Sequence, residues 1–261
     1  MKYYVVDAFS DKVFSGNPAG VCVVENQLDE LLMQSIATEN NLSETAFVTR
    51  KSKGIYDLKW FTPKSEINLC GHATLATAYV VSNFVDVDIE DMEFNTLSGV
   101  LRVKRIADNY VMDFPAIMPN LIDIPDGLKA ALGVLPLRTW LARDLVVMVE
   151  NESIVRNLKP DFQALLEIEE GLGVIVTAKG EACDFVSRCF YPKLGVDEDP
   201  VTGSAHSYLA PLWKSILGKD TLTGRQLSLR GGIIACELAG ERVNLSGRAV
   251  LYLKGDLLRE S

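Results

Sequence analysis

The chain has 261 residues, 48% hydrophobic and 23% charged, a balance that supplies a core for one large domain or two ordinary ones and argues against extensive disorder. Its formal net charge of −9 works against phosphate-backbone binding, which needs a basic face, so nucleic acid is not an expected partner. No apolar run approaches the ~18–20 residues of a spanning helix, and Met1-Lys2-Tyr3-Tyr4 leads into strand-like sequence without a basic-then-apolar leader, so no membrane partner and a cytoplasmic location are expected. Cys22, Cys70, Cys183, Cys189 and Cys236 are odd in number and widely spaced, which favours free thiols.

In chain order, Val5 to Phe14 begins as a strand and ends in the turn Ser15-Gly16-Asn17-Pro18-Ala19-Gly20. Val21 to Val24 is a short β-branched run, read as a strand. Leu28, Leu31, Leu32 and Ile36 form the stripe of an amphipathic helix that Glu39-Asn40-Asn41 ends. Ser43 to Val48 and Tyr56 to Trp60 read as strands. After Gly71 the residues Ala73, Leu75, Ala76, Ala78, Tyr79, Val80, Val81 and Phe84 surround the axis almost completely, which predicts a helix at the centre of a domain with sheet around it. Phe94 to Val103 and Tyr110 to Phe114 look like strands of a closing hairpin. Pro115 to Pro119, followed by Pro125, mark a domain junction, with domains expected over 1–117 and 118–261.

The second half repeats the first. Val23-Val24-Glu25-Asn26 returns as Met148-Val149-Glu150-Asn151 at an offset of 125, and Ala46-Phe47-Val48-Thr49 as Val174-Ile175-Val176-Thr177 at 128. Phe61-Thr62-Pro63-Lys64 returns as Phe190-Tyr191-Pro192-Lys193 at 129, and Gly71-His72-Ala73 as Gly203-Ser204-Ala205 at 132. Phe162, Leu165 and Leu166 stand where the amphipathic helix stood. Tyr208, Leu209, Leu212, Trp213 and Ile216 stand where the central helix stood, with Pro211 expected to kink it. The implied class is α+β: two pseudo-symmetric domains from an internal duplication, each a mostly antiparallel sheet around a central helix.

Each copy places glycine and then a polar or imidazole residue at the start of its central helix, where free N–H groups and the helix dipole favour an anion. Two such termini facing each other across a domain cleft would grip a small carboxylate-bearing substrate. Singly, Gly71 and Gly203 serve helix entry equally well. The residues that break the symmetry are the candidates for chemistry. Glu44, opposite Leu172 at the offset of 128, sits in an apolar strand, where partial desolvation would tune it as a general acid/base; the alternative is a solvent-facing strand residue. Asp199 lies in the insertion before Gly203 and could equally be a turn residue before Pro200, with Asp197 and Glu198 as solvated neighbours. His72 titrates in the useful range or caps its helix, Ser204 binds a carboxylate or acts as an N-cap, and His206, one turn in, reads as structural. Cys70 is a packed or site-lining thiol whose counterpart is Thr202, so the opposed thiol pair of cofactor-independent racemases is missing. Two histidines without a close thiol pair give no recognised zinc spacing, and no phosphate loop or dinucleotide fingerprint is present.

Four motifs carry a family resemblance over nearly the whole chain. They are Val6-Asp7-Ala8-Phe9 with Phe14 to Gly20, Asn41 to Phe47, Cys70-Gly71-His72-Ala73-Thr74, and Glu198 to Ala205. In these the chain resembles the PhzF-like phenazine-biosynthesis family, within the diaminopimelate-epimerase-like fold. The resemblance implies a homodimer of two-domain subunits, a site in the interdomain cleft, and no cofactor or metal. It also implies isomerisation by a proton shift, as in the family's best-understood member, which acts on trans-2,3-dihydro-3-hydroxyanthranilate. Glu44 matches the carboxylate that carries the proton, and His72, Asp199 and Ser204 match groups that orient substrate and assist. Gly71, Ala73, Gly203 and Ser204 are expected to bind substrate, with Cys70, Thr202 and Asn17 lining the site. Ser228-Leu229-Arg230-Gly231-Gly232 departs from the phenazine enzymes and looks like the broad branch with undefined substrates. The expected activity is therefore a cofactor-independent isomerase of a small carboxylated molecule, with an amino-acid racemase or epimerase and a non-catalytic binding protein as alternatives.

Overall fold

A computed structural model of the protein describes residues 1–26 and 28–258. The chain divides into two units: Met1–Asp113 with the segment from Ser246 onward, and Phe114–Leu245. The first unit contains β1 (Lys2–Ala8), β2 (Asn17–Val24), α1 (Glu30–Asn40), β3 (Glu44–Ser52), β4 (Ile55–Phe61), β5 (Glu66–Ile67) and α2 (Gly71–Val80). Strands β6 (Asp91–Thr96), β7 (Gly99–Ile106) and β8 (Asn109–Pro115) follow, the last running to the division between the units. The second unit holds β9 (Asn120–Ile122), α3 (Leu128–Leu132), β10 (Arg138–Leu141), β11 (Leu145–Met148), α4 (Glu152–Asn157), α5 (Phe162–Leu166), β12 (Val174–Lys179) and β13 (Phe185–Tyr191). It continues through β14 (Val196–Asp199), α6 (His206–Leu217), β15 (Thr221–Gln226), β16 (Gly232–Ala239) and β17 (Arg242–Gly247), after which β18 (Ala249–Asp256) returns the chain to the first unit. Among the described residues no helix is long and apolar enough to cross a membrane. All five cysteines are free thiols.

Helix α2 is the buried element that its composition predicts. Eight of its ten residues are buried. Two of these are threonines, and each hydroxyl returns to the carbonyl one turn back, Thr74 to Cys70 at 2.6 Å and Thr77 to Ala73 at 2.7 Å, so the apolar surroundings leave no hydroxyl unpaired. Helix α1 is capped by Asp29, whose carboxylate accepts the Leu31 N–H at 2.8 Å. Its buried face is shifted from the expected stripe: Leu28 and Ile36 pack partly against the core and Leu31 is 80% exposed, while the buried residues are Met33 and Ala37. The pair is spaced i, i+4 and packs with Tyr3, Val5, Cys22, Val24 and Phe47, so the sheet, and not the richest leucine stripe, sets the rotation of the helix.

Two boundaries also differ from expectation. Asn17 to Gly20, read as turn, belong to β2, and the turn is Phe9 to Gly16, where Phe9, Phe14 and Gly16 have φ of 60°, 67° and 72°. Asp7 holds it by accepting the Phe14 N–H at 2.9 Å. Pro18 is tolerated in the strand because the ladder between β2 and β3 begins only at Ala19, so no hydrogen bond is asked of it on that side. The segment after residue 245, expected in the second domain, supplies β18, which pairs antiparallel with β1 from Lys2↔Asp256 to Ala8↔Ala249. Strand β1 lies between β18 and β2 and has no open edge over that stretch.

The two units share their ladder logic. In the first, β2 runs parallel to β3, β3 antiparallel to β4, and β4 parallel to β6. In the second, β11, β12, β13 and β15 repeat that sequence of directions. The registers align the copies more finely than motif spacing does. Val23 pairs with Val48, and its counterpart Met148 pairs with Thr177; Thr45 pairs with Phe61, and Val174 with Phe190. Strand β3 therefore matches β12 one residue further on than the motif offset, and Glu44 falls opposite Gly173, not Leu172. In the second unit α6 runs unbroken through Pro211. The Ser207 carbonyl, which a residue other than proline at 211 would bond, accepts the Ile117 N–H at 2.9 Å instead.

Candidate functional site

In the first unit, β2, β3 and the start of α2 bring Asn17, Glu44, Cys70 and His72 together. His72 is the hub. Its Nε2 lies 3.0 Å from Glu44 Oε2, and its Nδ1 lies 3.2 Å from the Asn17 amide nitrogen and 3.5 Å from Cys70 Sγ. The imidazole does not cap α2, whose first intrahelical bond is Thr74 N–H to Cys70 O; Gly71, His72 and Ala73 thus keep N–H groups with no intrahelical acceptor. Glu44 opens β3 and is mostly buried, its side chain 16% exposed. Burial by itself would lower the pKa of His72, but Cys70 and the Glu44 carboxylate outweigh it and hold the imidazole well above its usual value. Burial, aided by Glu44, pushes the Cys70 thiol up, while His72 opposes that rise. His72 Nε2 and Glu44 Oε2 stand at ion-pair distance without the alignment of a hydrogen bond between them.

Glu44, Cys70 and His72 place one potential metal-ligand atom each within 4.8 Å of one another. The thiol meets one ring nitrogen and the carboxylate the other.

In the second unit the matching turn is built differently. Residues Gly203 to Ala205 form a tight turn, with His206 N–H to Gly203 O at 2.9 Å, and α6 starts only at His206. Ser204 is not its N-cap; the hydroxyl lies 3.4 Å from a terminal nitrogen of Arg143. Asp199, at the end of β14, accepts the Thr202 hydroxyl at 2.5 Å. Buried Gln226 braces this turn. Its amide oxygen accepts the Thr202 N–H at 2.9 Å, and its nitrogen donates to Asp199 O at 2.6 Å and to Thr202 Oγ1 at 3.2 Å. Glu198, expected to be solvated, forms a bidentate pair with Arg188 at 2.7 and 2.8 Å, while that arginine also donates to Leu158 O. His206 is fully buried at the first position of α6, donates Nδ1–H to Thr202 O at 2.9 Å, and packs on Phe185.

Four residues escaped the sequence reading. Gln226 carries no local signal. Arg143 and Asp144 do carry one, a charged pair in the short connection between two apolar strands, but only the fold shows that Asp144 is wholly buried and that Tyr191 donates to it at 3.3 Å. Gly173 is the fourth. A Cβ there would stand 2.2 Å from the Tyr191 ring, so the place that Glu44 takes in the first unit is filled in the second by an aromatic side chain. Gly173→Ala is expected to lower the melting temperature, with a cost of about 1–3 kcal/mol from overpacking. An unchanged melt would mean that the ring is free to move aside.

Comparison with known proteins places these clusters in a family. Residues 6–255 match the PhzC-PhzF family model, described as phenazine biosynthesis-like protein. An uncharacterized isomerase of Pseudomonas aeruginosa is 49% identical, covering 97% of each chain. The human phenazine biosynthesis-like domain-containing protein is 40% identical over 97% of this chain and 98% of its own. Among solved structures, a PhzF family protein of Enterococcus faecalis is 48% identical, with a TM-score of 0.97 over 99% of both chains. With near-complete coverage at such identities, this chain belongs to the phenazine biosynthesis-like family.

Proposed function

We propose that the protein is an isomerase that moves a proton between carbons of a small carboxylate-bearing substrate, with Glu44 as the acid and base and His72 and Asp199 assisting. The observation that carries this reading is the pairing of Glu44 Oε2 with His72 Nε2 at 3.0 Å, both side chains largely buried. The isomerase names of relatives such as the Pseudomonas aeruginosa protein support it. In the proposed reaction, Glu44 removes a proton from carbon, and the electron pair passes into the substrate's adjoining π system. The protonated carboxyl then returns the proton at the far end of that system and is ionised again. His72 stays at ion-pair distance from one carboxylate oxygen and leaves the other for the substrate. The N–H groups of Gly71 and Ala73, and the Gly203–Ser204 turn, are proposed to hold the substrate's carboxylate. Proton carrier, partner and anion donors all come from the chain, so the reaction as written asks for no cofactor.

The test is isotopic. Protein incubated in deuterated water with a set of small unsaturated and amino carboxylic acids should place deuterium on a carbon of at least one of them, read by proton NMR and mass spectrometry. Equal exchange in the matching carboxamides would sink the carboxylate assignment. Ligands that bind without any exchange across the set would leave a binding protein and no isomerase.

A further inference from the structure

The second unit holds a cation that the duplication does not explain. Arg143 and Asp144 sit in the connection between β10 and β11, and the ladder registers set them opposite Pro18 and Ala19 of the first unit, which carry no charge. Asp144 is 0% exposed, and a carboxylate there requires a partner. Arg143 supplies it through Nε at 3.3 Å to both oxygens and a terminal nitrogen at 2.8 Å to Oδ2. Tyr191, lying over Gly173, donates to the same oxygen at 3.3 Å. The carboxylate thus fixes the guanidinium from behind by one edge. The arginine side chain is still 46% exposed, and its terminal nitrogen reaches within 3.4 Å of Ser204 Oγ. Where the first unit sets a carboxylate, the second fills the matching place with an aromatic ring and anchors a cation beside it.

We propose that Arg143 reads the negative charge of the substrate, its guanidinium meeting the carboxylate next to Ser204. This rests on the reading that the Gly203–Ser204 turn holds that carboxylate. A guanidinium fixed by a buried anion is pre-organised, so little side-chain freedom is lost when a planar carboxylate docks on its open edge. Asp144 also offsets part of its charge, which keeps product release possible. The residue is thereby a specificity determinant that selects carboxylates over neutral isosteres.

Anthranilate and anthranilamide make a suitable pair of probes, since they share ring and amine and differ in charge. Their affinities for the full chain can be measured by ligand-observed NMR. Wild type should prefer the anion, and Arg143→Met should cut that preference about tenfold or more, the size expected for a charge-assisted bond. Arg143→Lys keeps the charge and a partner for Asp144 without the planar fork, and should lose only part of the preference. A merely structural arginine would alter melting and leave the anion-to-amide ratio alone. If wild type shows no preference for the anion, the carboxylate reading itself fails. If wild type prefers the anion and Arg143→Met retains that preference, only the assignment to Arg143 fails. Should Arg143→Met not fold, an undiminished preference in Arg143→Lys overturns the proposal.

Discussion

Glu44→Gln is expected to slow deuterium uptake at the substrate carbon about a hundredfold to ten-thousandfold, the range for loss of a positioned general base. Glutamine has the shape of glutamate, so the fold should survive, with a lowered melting temperature where the ion pair with His72 contributes. What disappears is the basic carboxylate and its charge. The second loss has its own signature. His72 is held above its usual value by Cys70 and by the neighbouring carboxylate, so these contacts stabilise the fold fully below about pH 6.5, and that stability drains away as pH rises through the elevated folded value. In Glu44→Gln that alkaline decline should shrink, and an NMR titration of the His72 ring should show it losing its proton at lower pH. A variant that exchanges at the wild-type rate removes Glu44 from the chemistry, whatever the titration shows.

The other histidine should produce the opposite dependence. Burial pulls His206 from 6.5 down to about 4, with its bond to Thr202 O opposing weakly. The folded state therefore disfavours the proton that the unfolded chain takes up below pH 6.5. Stability should fall by about 3 kcal/mol as pH drops from 6.5 to 4, and then level off as far as this group is concerned. The contribution of His72 is already complete in that window. The carboxylates with depressed values, Asp86, Glu152, Asp184 and Asp256, lose their contributions only below their ordinary ranges. His206→Asn keeps a donor for Thr202 O without a titrating ring. Urea melts of this variant should be less stable at pH 7 but nearly flat from 6.5 to 4.5. A slope equal to wild type would place the acid sensitivity elsewhere.

Much of the fold was legible because its strongest signals are local. An α2 stretch without a polar face can only be central, and β-branched runs announce β2, β3, β11 and β12. The repeat was legible as well, since Phe61 to Lys64 and Phe190 to Lys193 keep order and spacing. Features decided by partners far along the chain were not. Nothing near Pro18 says that its strand neighbour begins one residue later. Nothing in α1 says that Met33 and Ala37, and not Leu31, meet the sheet. The one-residue slip that sets Glu44 opposite Gly173 follows from hydrogen-bond register, which motif spacing does not encode. For the candidate site, residue types and helix starts pointed to Glu44, His72 and the Gly203–Ser204 turn. Gln226, Asp144 and the second-unit cation owe their roles to burial and to partners dozens of residues away.

The return of β18 to the first unit sets an order of assembly. During synthesis the whole of Phe114–Leu245 leaves the ribosome before β18 does, so the second unit has its complete sequence available first. Strand β1, made before that unit, meanwhile waits with one edge bare, and a bare edge invites pairing with another nascent chain. A strand made before the second unit is thus sealed after it, and chains interrupted shortly before residue 249 should be the ones most dependent on chaperones.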